Sequence, residues 1–288
     1  RELLAPCEVC PWMCRVDREV DRTGKCGMGV EAVVSAANLH HGEEPPLSGL
    51  RGSGTVFLAG CNLACRFCQN WPISHLRHGE PATARELAAM MLALERRGAH
   101  NINFVTPTHF TPQIVEATAL ARGEGLSVPL VWNCNGYERV ETLRLLDGIV
   151  EIYLPDLKYA DDEQAASCSG AEDYWATATA AIAEMNRQVG RLVCDECGIA
   201  TRGLIVRHLV LPGGLSGTRR VLEWMADHLP PGTALSLMGQ YFPAGEAVGD
   251  RRLGRRLAPE EYADACVLLD EFPEVEGWTQ DMSRPGGC

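Results

Sequence analysis

Three cysteines stand close together in a short loop that follows a predicted strand. Cys61, Cys65 and Cys68 have the spacing C-x3-C-x2-C, and the apolar run 55–59 before them predicts a buried strand. Thiolate ligands are soft and favour iron–sulfur clusters and zinc over hard cations. Three ligands leave one iron of a four-iron, four-sulfur cluster free to bind a substrate or cofactor, as the open position of a catalytic zinc does. The alternative is that these cysteines are structural or form half of a zinc site.

The cysteine spacing after a first strand, with the aromatic Phe67 before the last cysteine, resembles the signature of the radical S-adenosyl-L-methionine (SAM) superfamily. The resemblance implies a [4Fe-4S] cluster held by Cys61, Cys65 and Cys68, whose open iron binds the amino and carboxylate groups of SAM. It also implies that the reduced cluster cleaves SAM to a 5′-deoxyadenosyl radical.

Polar side chains end the second and third predicted strands, where parallel α/β folds gather their chemistry. Thr106 and Thr108 take the place of the glycine-rich turn that binds the SAM amino group in the superfamily, and an ordinary capped turn is the alternative. Asn133 and Asn135 share one face of a strand, so both amides can hydrogen-bond a ribose or a carboxylate. Turn chemistry alone is the alternative for them. We predict that these four residues bind the cofactor.

The fourth and fifth strands carry ionisable residues. Asp156 and Lys158 are two apart, so both can point into one cavity, and the Asp-Leu-Lys segment resembles that of pyruvate formate-lyase activating enzymes. We predict that this pair binds SAM and takes part in catalysis, with a solvated salt bridge as the alternative. Arg207 and His208 interrupt an apolar run, and a buried strand should not hold two such groups without partners. Ile205 and Arg207 are predicted to contact SAM, and His208 is predicted to be catalytic or a satisfied core histidine.

A second cysteine group precedes the first strand, with the spacing C-x2-C-x3-C-x11-C at Cys7, Cys10, Cys14 and Cys26. The segment is charged and poor in apolar residues, so a bound metal would supply its missing folding energy. Four thiolates suit structural zinc, which we slightly favour, or a second iron–sulfur cluster. Cysteines without a metal are the remaining alternative.

Strands and helices alternate from residue 55 onward, which predicts βα units and a parallel sheet. The predicted strands cover 55–60, 102–105, 129–135, 149–154, 203–211 and 234–241, and the predicted helices cover 83–97, 111–123, 138–145, 171–189, 217–228 and 259–270. Six units fall short of the eight of a closed barrel. We therefore expect an α/β fold with a partial (β/α)6 barrel over 51–288, which is the radical SAM barrel that the resemblance implies, and a small cysteine-rich appendage over 1–50. Residues 38–54 predict an irregular approach to the first strand.

Composition limits the partners and the compartment. The formal net charge of −12 argues against non-specific nucleic-acid binding. No apolar run reaches membrane-spanning length, and the opening residues lack a signal-peptide pattern, so we expect no membrane partner. Thirteen cysteines, several at metal-ligand spacings, then predict a reducing cytoplasm. The pair Cys194 and Cys197 can be redox-active, metal-binding or structural.

Motifs in 42–70 and 207–213, with the N-terminal cysteines, resemble the PflX or pyruvate formate-lyase activating enzyme-like subfamily over nearly the whole chain. The resemblance implies an activase that forms a glycyl radical on a partner enzyme and takes electrons from a donor such as flavodoxin or ferredoxin. One alternative is a radical SAM enzyme that modifies a peptide or small molecule directly. Another is a non-catalytic iron–sulfur or zinc-binding redox protein.

Overall fold

One ten-stranded sheet organises the part of the chain that the structure describes. The structure is a computed structural model, and it describes residues 3–20 and 23–280. The strands are β1 (Ala32–His40), β2 (Ser53–Leu58), β3 (Glu80–Ala82), β4 (Ile102–Val105), β5 (Leu130–Cys134), β6 (Ile152–Pro155), β7 (Val193–Cys194), β8 (Ala200–Leu209), β9 (Thr233–Met238) and β10 (Val275–Thr279). The helices are α1 (Pro45–Ser48), α2 (Trp71–Ser74), α3 (Ala84–Arg96), α4 (Thr111–Gly123), α5 (Val140–Arg144), α6 (Asp162–Ser169), α7 (Tyr174–Val189), α8 (Thr218–His228) and α9 (Pro259–Leu269).

The sheet is open and mostly parallel. Its order is β10-β9-β8-β6-β5-β4-β2-β1-β3, with β7 paired to β8 outside this path. Seven neighbouring strands run parallel to one another, namely β2, β4, β5, β6, β8, β9 and β10. β1 is antiparallel to β2 and to β3. Helices lie between the parallel strands in sequence, so the predicted α/β partial barrel with six βα units is confirmed, and β10 follows the sixth unit.

Local sequence explains the main elements. Every residue of β5 and of β9 is buried, as expected for parallel strands covered on both faces. Helix α3 begins at a capping box, in which Thr83 Oγ1 accepts the Glu86 N–H at 3.2 Å and Glu86 Oε2 accepts the Thr83 N–H at 2.8 Å. No helix in the described ranges combines the length and the apolarity needed to cross a lipid bilayer.

Two regions differ from the sequence prediction. The irregular approach expected over 38–54 is wrong at both ends, because β1 continues to His40 and β2 begins at Ser53. β1 is half-buried and rich in small residues, so it gives a weak strand pattern. The sheet therefore begins within the predicted appendage 1–50. Residues 1–2, 21–22 and 281–288 of the two predicted domains lie outside the described residues.

The short helix α1 fills the interior of the barrel near the N-terminal ends of its strands. Leu47 is fully buried there among Val131, Ile152, Ile205 and Ala234. The Leu47 carbonyl accepts a hydrogen bond at 2.9 Å from the side-chain amide of the residue before β4. Because this end is filled, open space in the barrel is left toward the carboxyl ends of the strands.

Candidate active site at the carboxyl ends of the strands

The loop after β2 carries Cys61, Cys65 and Cys68, none of which is in a disulfide. The backbone N–H groups of Ala64 and Arg66 donate to carbonyls at the end of α6, at 3.1 and 2.9 Å. These bonds fix the middle of the loop to a second element, so the loop conformation does not depend on the cysteines alone.

Each of the three cysteine sulfurs lies within hydrogen-bond distance of one polar side chain. The contacts are Asn135 Nδ2 to Cys61 Sγ (3.4 Å), Ser169 Oγ to Cys65 Sγ (3.0 Å) and Ser74 Oγ to Cys68 Sγ (3.1 Å). The Leu63 N–H also donates to Cys61 Sγ at 3.4 Å. Donors around sulfur stabilise thiolate charge and tune iron–sulfur clusters.

This donor set fits a polynuclear iron–sulfur cluster. Burial raises the pKa of the Cys61 thiol to about 12 and that of Cys65 to about 11, so a metal must displace their protons when it binds. In residues 3–20 and 23–280, no three His, Cys, Asp or Glu side chains converge on a point that would hold a single ion. A cluster instead takes each cysteine on a different iron, which requires a wider arrangement of sulfurs.

A buried ionic network lies beside this loop. Asp156 Oδ1 accepts a hydrogen bond from Arg207 Nε at 2.8 Å, and Asp156 Oδ2 pairs with Lys158 Nζ. The Arg207 guanidinium also donates to Asn133 Oδ1 at 2.6 Å and lies 3.7 Å from Glu43 Oε2. The structure therefore brings together four predicted residues, from β5, from the loop after β6 and from β8, and adds Glu43 from the segment before α1.

The network shifts the pKa values of its members in opposite directions. Burial alone would raise the pKa of Asp156, but Arg207 and Lys158 outweigh it and hold that pKa below its usual value. Burial alone would lower the pKa of Lys158, but Asp156 and the nearby Cys65 raise it. Burial raises the pKa of Glu43 to about 7, although Arg207 opposes the shift. Lys158 thus stays cationic between the carboxylate and the cysteine loop.

A cavity of about 530 Å³ opens above the filled end of the barrel. It extends to Asn70, just after the cysteine loop. Its lining includes three members of the ionic network, Arg207, Asn133 and Glu43. Trp278 of β10 forms part of its outer wall. The volume is in the range of small-molecule sites. Asp156 and Lys158 are not among its lining residues and act on it through Arg207.

His208 lies away from this network. Its Nδ1 lies 2.6 Å from the Leu157 carbonyl and its Nε2 lies 3.1 Å from Thr218 Oγ1, so both ring nitrogens have partners on the helix side of β8. Burial lowers its pKa to about 4. The ring is therefore neutral and supports the turn that carries Asp156 and Lys158.

The four remaining predicted cofactor residues lie in four different surroundings. Asn135 donates to Cys61 and accepts the Tyr137 N–H at 3.0 Å, so it supports the cysteine loop. Thr108 is buried and donates to Glu138, away from the cavity. Ile205 packs in the core around α1. Thr106 has a positive φ of 60° at the end of β4, and its N–H donates to the Asn133 carbonyl at 2.9 Å.

Two other groups of cysteines were identified by their spacing in the sequence. Cys7, Cys10 and Cys26 are buried and Cys14 is half-buried, on a segment that packs against the cysteine loop. Cys194 and Cys197 are exposed at the hairpin between β7 and β8.

Sequence reasoning missed three kinds of residue. Glu43 is part of a Gly- and Pro-rich stretch, and only its position in the cavity wall identifies it as a site residue. Ser74 and Ser169 are common surface residue types whose contact with sulfur depends on chain packing. Trp278 lies on the short β10, which the sequence did not predict. The acidic pair 43–44, between Gly42 and Pro45, was the one sequence feature that could have indicated Glu43 as a site residue.

Comparison with known families matches residues 55–196 to the radical SAM superfamily. An uncharacterised protein of Methanocaldococcus jannaschii is 30% identical over 280 residues, which cover 94% of this chain and 76% of that protein.

Solved structures share the fold at low identity. SuiB of Streptococcus suis bound to S-adenosylmethionine has a TM-score of 0.51 and 11% identity, over 77% of this chain and 48% of that one. SuiB bound to the precursor peptide SuiA has a TM-score of 0.53 and 10% identity, over 77% and 46%. HydG, a maturase of the [FeFe]-hydrogenase, has a TM-score of 0.55 and 13% identity, over 81% and 52%. The chain spans about half the length of these structures.

Proposed function

The chain belongs to the radical SAM superfamily, and we propose from this premise that it cleaves SAM reductively and abstracts a hydrogen atom from a substrate carbon. When bound, a [4Fe-4S] cluster supplies the electron for cleavage of SAM to methionine and a 5′-deoxyadenosyl radical. Superfamily membership supports this chemistry. The observation that carries the proposal is the set of three cysteines, each with a donor to its sulfur, beside a cavity with a buried ionic network.

The side chains have separate roles in this proposal. Cys61, Cys65 and Cys68 would hold the cluster. Arg207 lines the cavity and is held by Asp156, so its free N–H groups would orient a carboxylate of SAM or substrate. Lys158 keeps its proton next to Cys65 and offsets the negative charge of the thiolates.

We further propose that the reaction is activation of a glycyl radical enzyme, with one electron per turnover from a donor such as flavodoxin or ferredoxin. The subfamily resemblance of the motifs in 42–70 and 207–213 supports this assignment. Direct modification of a peptide is the second candidate. Trp278 of β10 lines the cavity, and within the described residues β10 pairs with a neighbouring strand on one side only. The unpaired edge beside the cavity favours this candidate, because an extended peptide can add to such an edge as a further strand.

The N-terminal Cys7, Cys10, Cys14 and Cys26 are proposed to hold a second metal centre, either zinc or an iron–sulfur cluster. Their number and their freedom from disulfides support a closed four-thiolate site.

Production of 5′-deoxyadenosine tests the reaction. Anaerobically reconstituted and chemically reduced protein should form it from SAM, and replacement of Cys61, Cys65 or Cys68 by Ala should abolish it. Cys266→Ala, on α9 and outside both cysteine groups, is the matched control and should retain it. Normal yield from a ligand variant would exclude the assignment.

The substrate class needs a separate assay. Incubation with SAM, reductant and a glycyl radical enzyme from the same host should give the doublet EPR signal of a glycyl radical on that partner. Formation of 5′-deoxyadenosine without this signal, together with a mass change of added peptide, would favour peptide modification instead.

A further inference from the structure

The four N-terminal cysteines form one group. Backbone hydrogen bonds fold the first three cysteines into one turn, because the Arg15 N–H donates to the Cys7 carbonyl at 2.9 Å and the Met13 N–H donates to the Cys10 carbonyl at 3.0 Å. Gly24, two residues before Cys26, packs against Cys14, since a Cβ atom there would lie 2.7 Å from Cys14 Sγ. The Lys25 N–H donates to Cys14 Sγ at 3.3 Å, which joins the turn before Cys26 to the first three cysteines.

Backbone amides point at these sulfurs as they do in the loop after β2. The N–H of Trp12 donates to Cys10 and the N–H of Met28 donates to Cys26, each two residues further along the chain. The same spacing occurs where the Leu63 N–H donates to Cys61 at 3.4 Å. Amide donors at this position stabilise a thiolate ligand. The N-terminal segment thus repeats the local arrangement of the first cysteine loop.

The segment has little apolar packing of its own. Its local core consists of Leu4, Cys7 and Val9, with Val16 and Val30 partly buried against them. With so small a local core the segment depends on its contacts with the barrel, and a metal centre would add folding energy of its own.

The arrangement favours a cluster over zinc. In a tetrahedral zinc site with Zn–S bonds of 2.3 Å, the sulfurs lie about 3.8 Å apart. Across the described ranges no three potential ligands, these cysteines included, converge on a single ion. The same holds for Cys61, Cys65 and Cys68, which fit a polynuclear cluster. Four neighbouring thiolates without a common point are arranged for several metal atoms.

One side chain joins this group to the first cysteine loop. Trp12 lies between Cys10 and Cys14, and its Nε1–H donates to the carbonyl of Asn62 at 2.6 Å, next to Cys61. The contact is reinforced nearby, because Met28 and the Cys26 carbonyl pack against Gly60, where a Cβ atom would lie 2.7 Å from Met28 Cγ.

We propose that Cys7, Cys10, Cys14 and Cys26 hold a second iron–sulfur cluster that passes electrons through Trp12 to the cluster at Cys61, Cys65 and Cys68. The inference rests on the proposed radical SAM function. Cys14 is partly exposed, and Met13 and Lys25 beside it are exposed, so electrons can enter from solvent on this side.

The electron count balances. A low-potential one-electron donor protein is oxidised by one electron as the second cluster is reduced. That electron moves to the first cluster, and the second returns to its oxidised state. One electron is then consumed for each SAM cleaved, and the cycle repeats with the next donor. Since four cysteines leave no iron open, the second cluster would carry electrons without binding SAM.

Metal analysis and EPR test the site. The full chain, purified anaerobically and reconstituted, should hold about eight irons, and the triple variant Cys61→Ala/Cys65→Ala/Cys68→Ala should keep about four with an EPR signal on reduction. The double variant Cys10→Ala/Cys26→Ala should lose about half of the iron. A triple variant without iron, or one zinc per chain in the native protein, would overturn the second cluster. Because the triple variant leaves the N-terminal segment intact, misfolding of the double variant does not affect this result.

Trp12→Phe tests the relay. It keeps all seven ligands and removes the indole N–H that reaches Asn62. Reduction of the first cluster by reduced flavodoxin is measured by rapid-freeze EPR. The variant should keep its iron content and its SAM binding but lose the fast phase of this reduction. Trp224→Phe on α8 is the control and should keep that phase. An unchanged fast phase in Trp12→Phe would overturn the relay. Failure of the proposed function differs from both results, because the native protein would then form no 5′-deoxyadenosine whatever its iron content.

Discussion

Replacing Glu43 by Gln should make the stability of the protein less dependent on pH. The Glu43 side chain is 8% exposed and lies 3.7 Å from an Arg207 nitrogen. Burial raises its pKa from 4.5 to about 7, Arg207 opposes the rise, and Glu44 adds to it. Glutamine keeps the size and the polarity of the protonated side chain and cannot ionise.

The sign and the size of the effect follow from the two pKa values. A carboxyl group with a raised pKa binds its proton more tightly in the folded state. Its contribution to stability is therefore full below the unfolded pKa of 4.5 and is lost as the pH rises toward about 7. At 1.36 kcal/mol per pKa unit the loss is about 3 kcal/mol. For a chain of this length that corresponds to about 6 °C in Tm.

The assay compares the Tm of wild type and Glu43→Gln under anaerobic conditions at about pH 5 and about pH 8. From the lower to the higher pH, the Tm of the wild type should fall by about 6 °C more than the Tm of the variant. Glu141→Gln, at an exposed carboxylate on α5, is the control and should show no such gain. If the Tm difference between Glu43→Gln and wild type were the same at both pH values, the argument from burial would be refuted.

Three further variants test the site. Asp156→Asn should weaken SAM binding in equilibrium dialysis more than it reduces the folded fraction, because it removes the carboxylate that holds Arg207 and Lys158 in place. The control Asp147→Asn, which alters an exposed ion pair, should not weaken SAM binding. Ser169→Ala should lower the reduction potential of the cluster in an EPR-monitored titration, because it removes a donor to a ligand sulfur. Gly60→Ala should reduce iron content, because its φ is 76° and Met28 fills the Cβ position. Gly190→Ala, with a φ of 69° and open space at the Cβ position, should keep its iron and lose only the backbone-strain energy of about 1–3 kcal/mol.

Each of these expectations has a contrary outcome. Unchanged SAM affinity in Asp156→Asn would make the ion pair an ordinary structural feature. An unchanged potential in Ser169→Ala would mean that the hydroxyl does not act on the cluster. Equal losses of iron in Gly60→Ala and Gly190→Ala would show that contact with the N-terminal segment does not matter for the cysteine loop.

The sequence by itself determined the βα alternation and the three cysteines after the first parallel strand. Both signals are local. A fully buried parallel strand appears as a continuous apolar run, and a cluster loop takes its ligands from within a few residues. The meeting of Asp156, Lys158 and Asn133 could be expected as well, since each lies at or after the end of a parallel strand and the carboxyl ends of such strands share one edge. Arg207 was identified because a charged residue interrupts an apolar strand.

Only the tertiary structure decided which face of a strand each side chain takes relative to its neighbours. Arg207 and His208 are adjacent in sequence, and packing sends the first to Asp156 and the second to Thr218 on α8. Asn135 likewise contacts Cys61, because the end of β5 lies against the cysteine loop. The sequence cannot supply these contacts, because each joins segments that are far apart in the chain.

The same limit explains what sequence patterns left out. β1 and β10 become strands through pairing with β2 and β9, and their own residues give weak strand signals. Glu43 becomes a cavity residue because α1 is inserted into the barrel. Composition and spacing fix which ligands are available and which segments are apolar, whereas the free energy that selects contacts between distant segments depends on the packed fold as a whole.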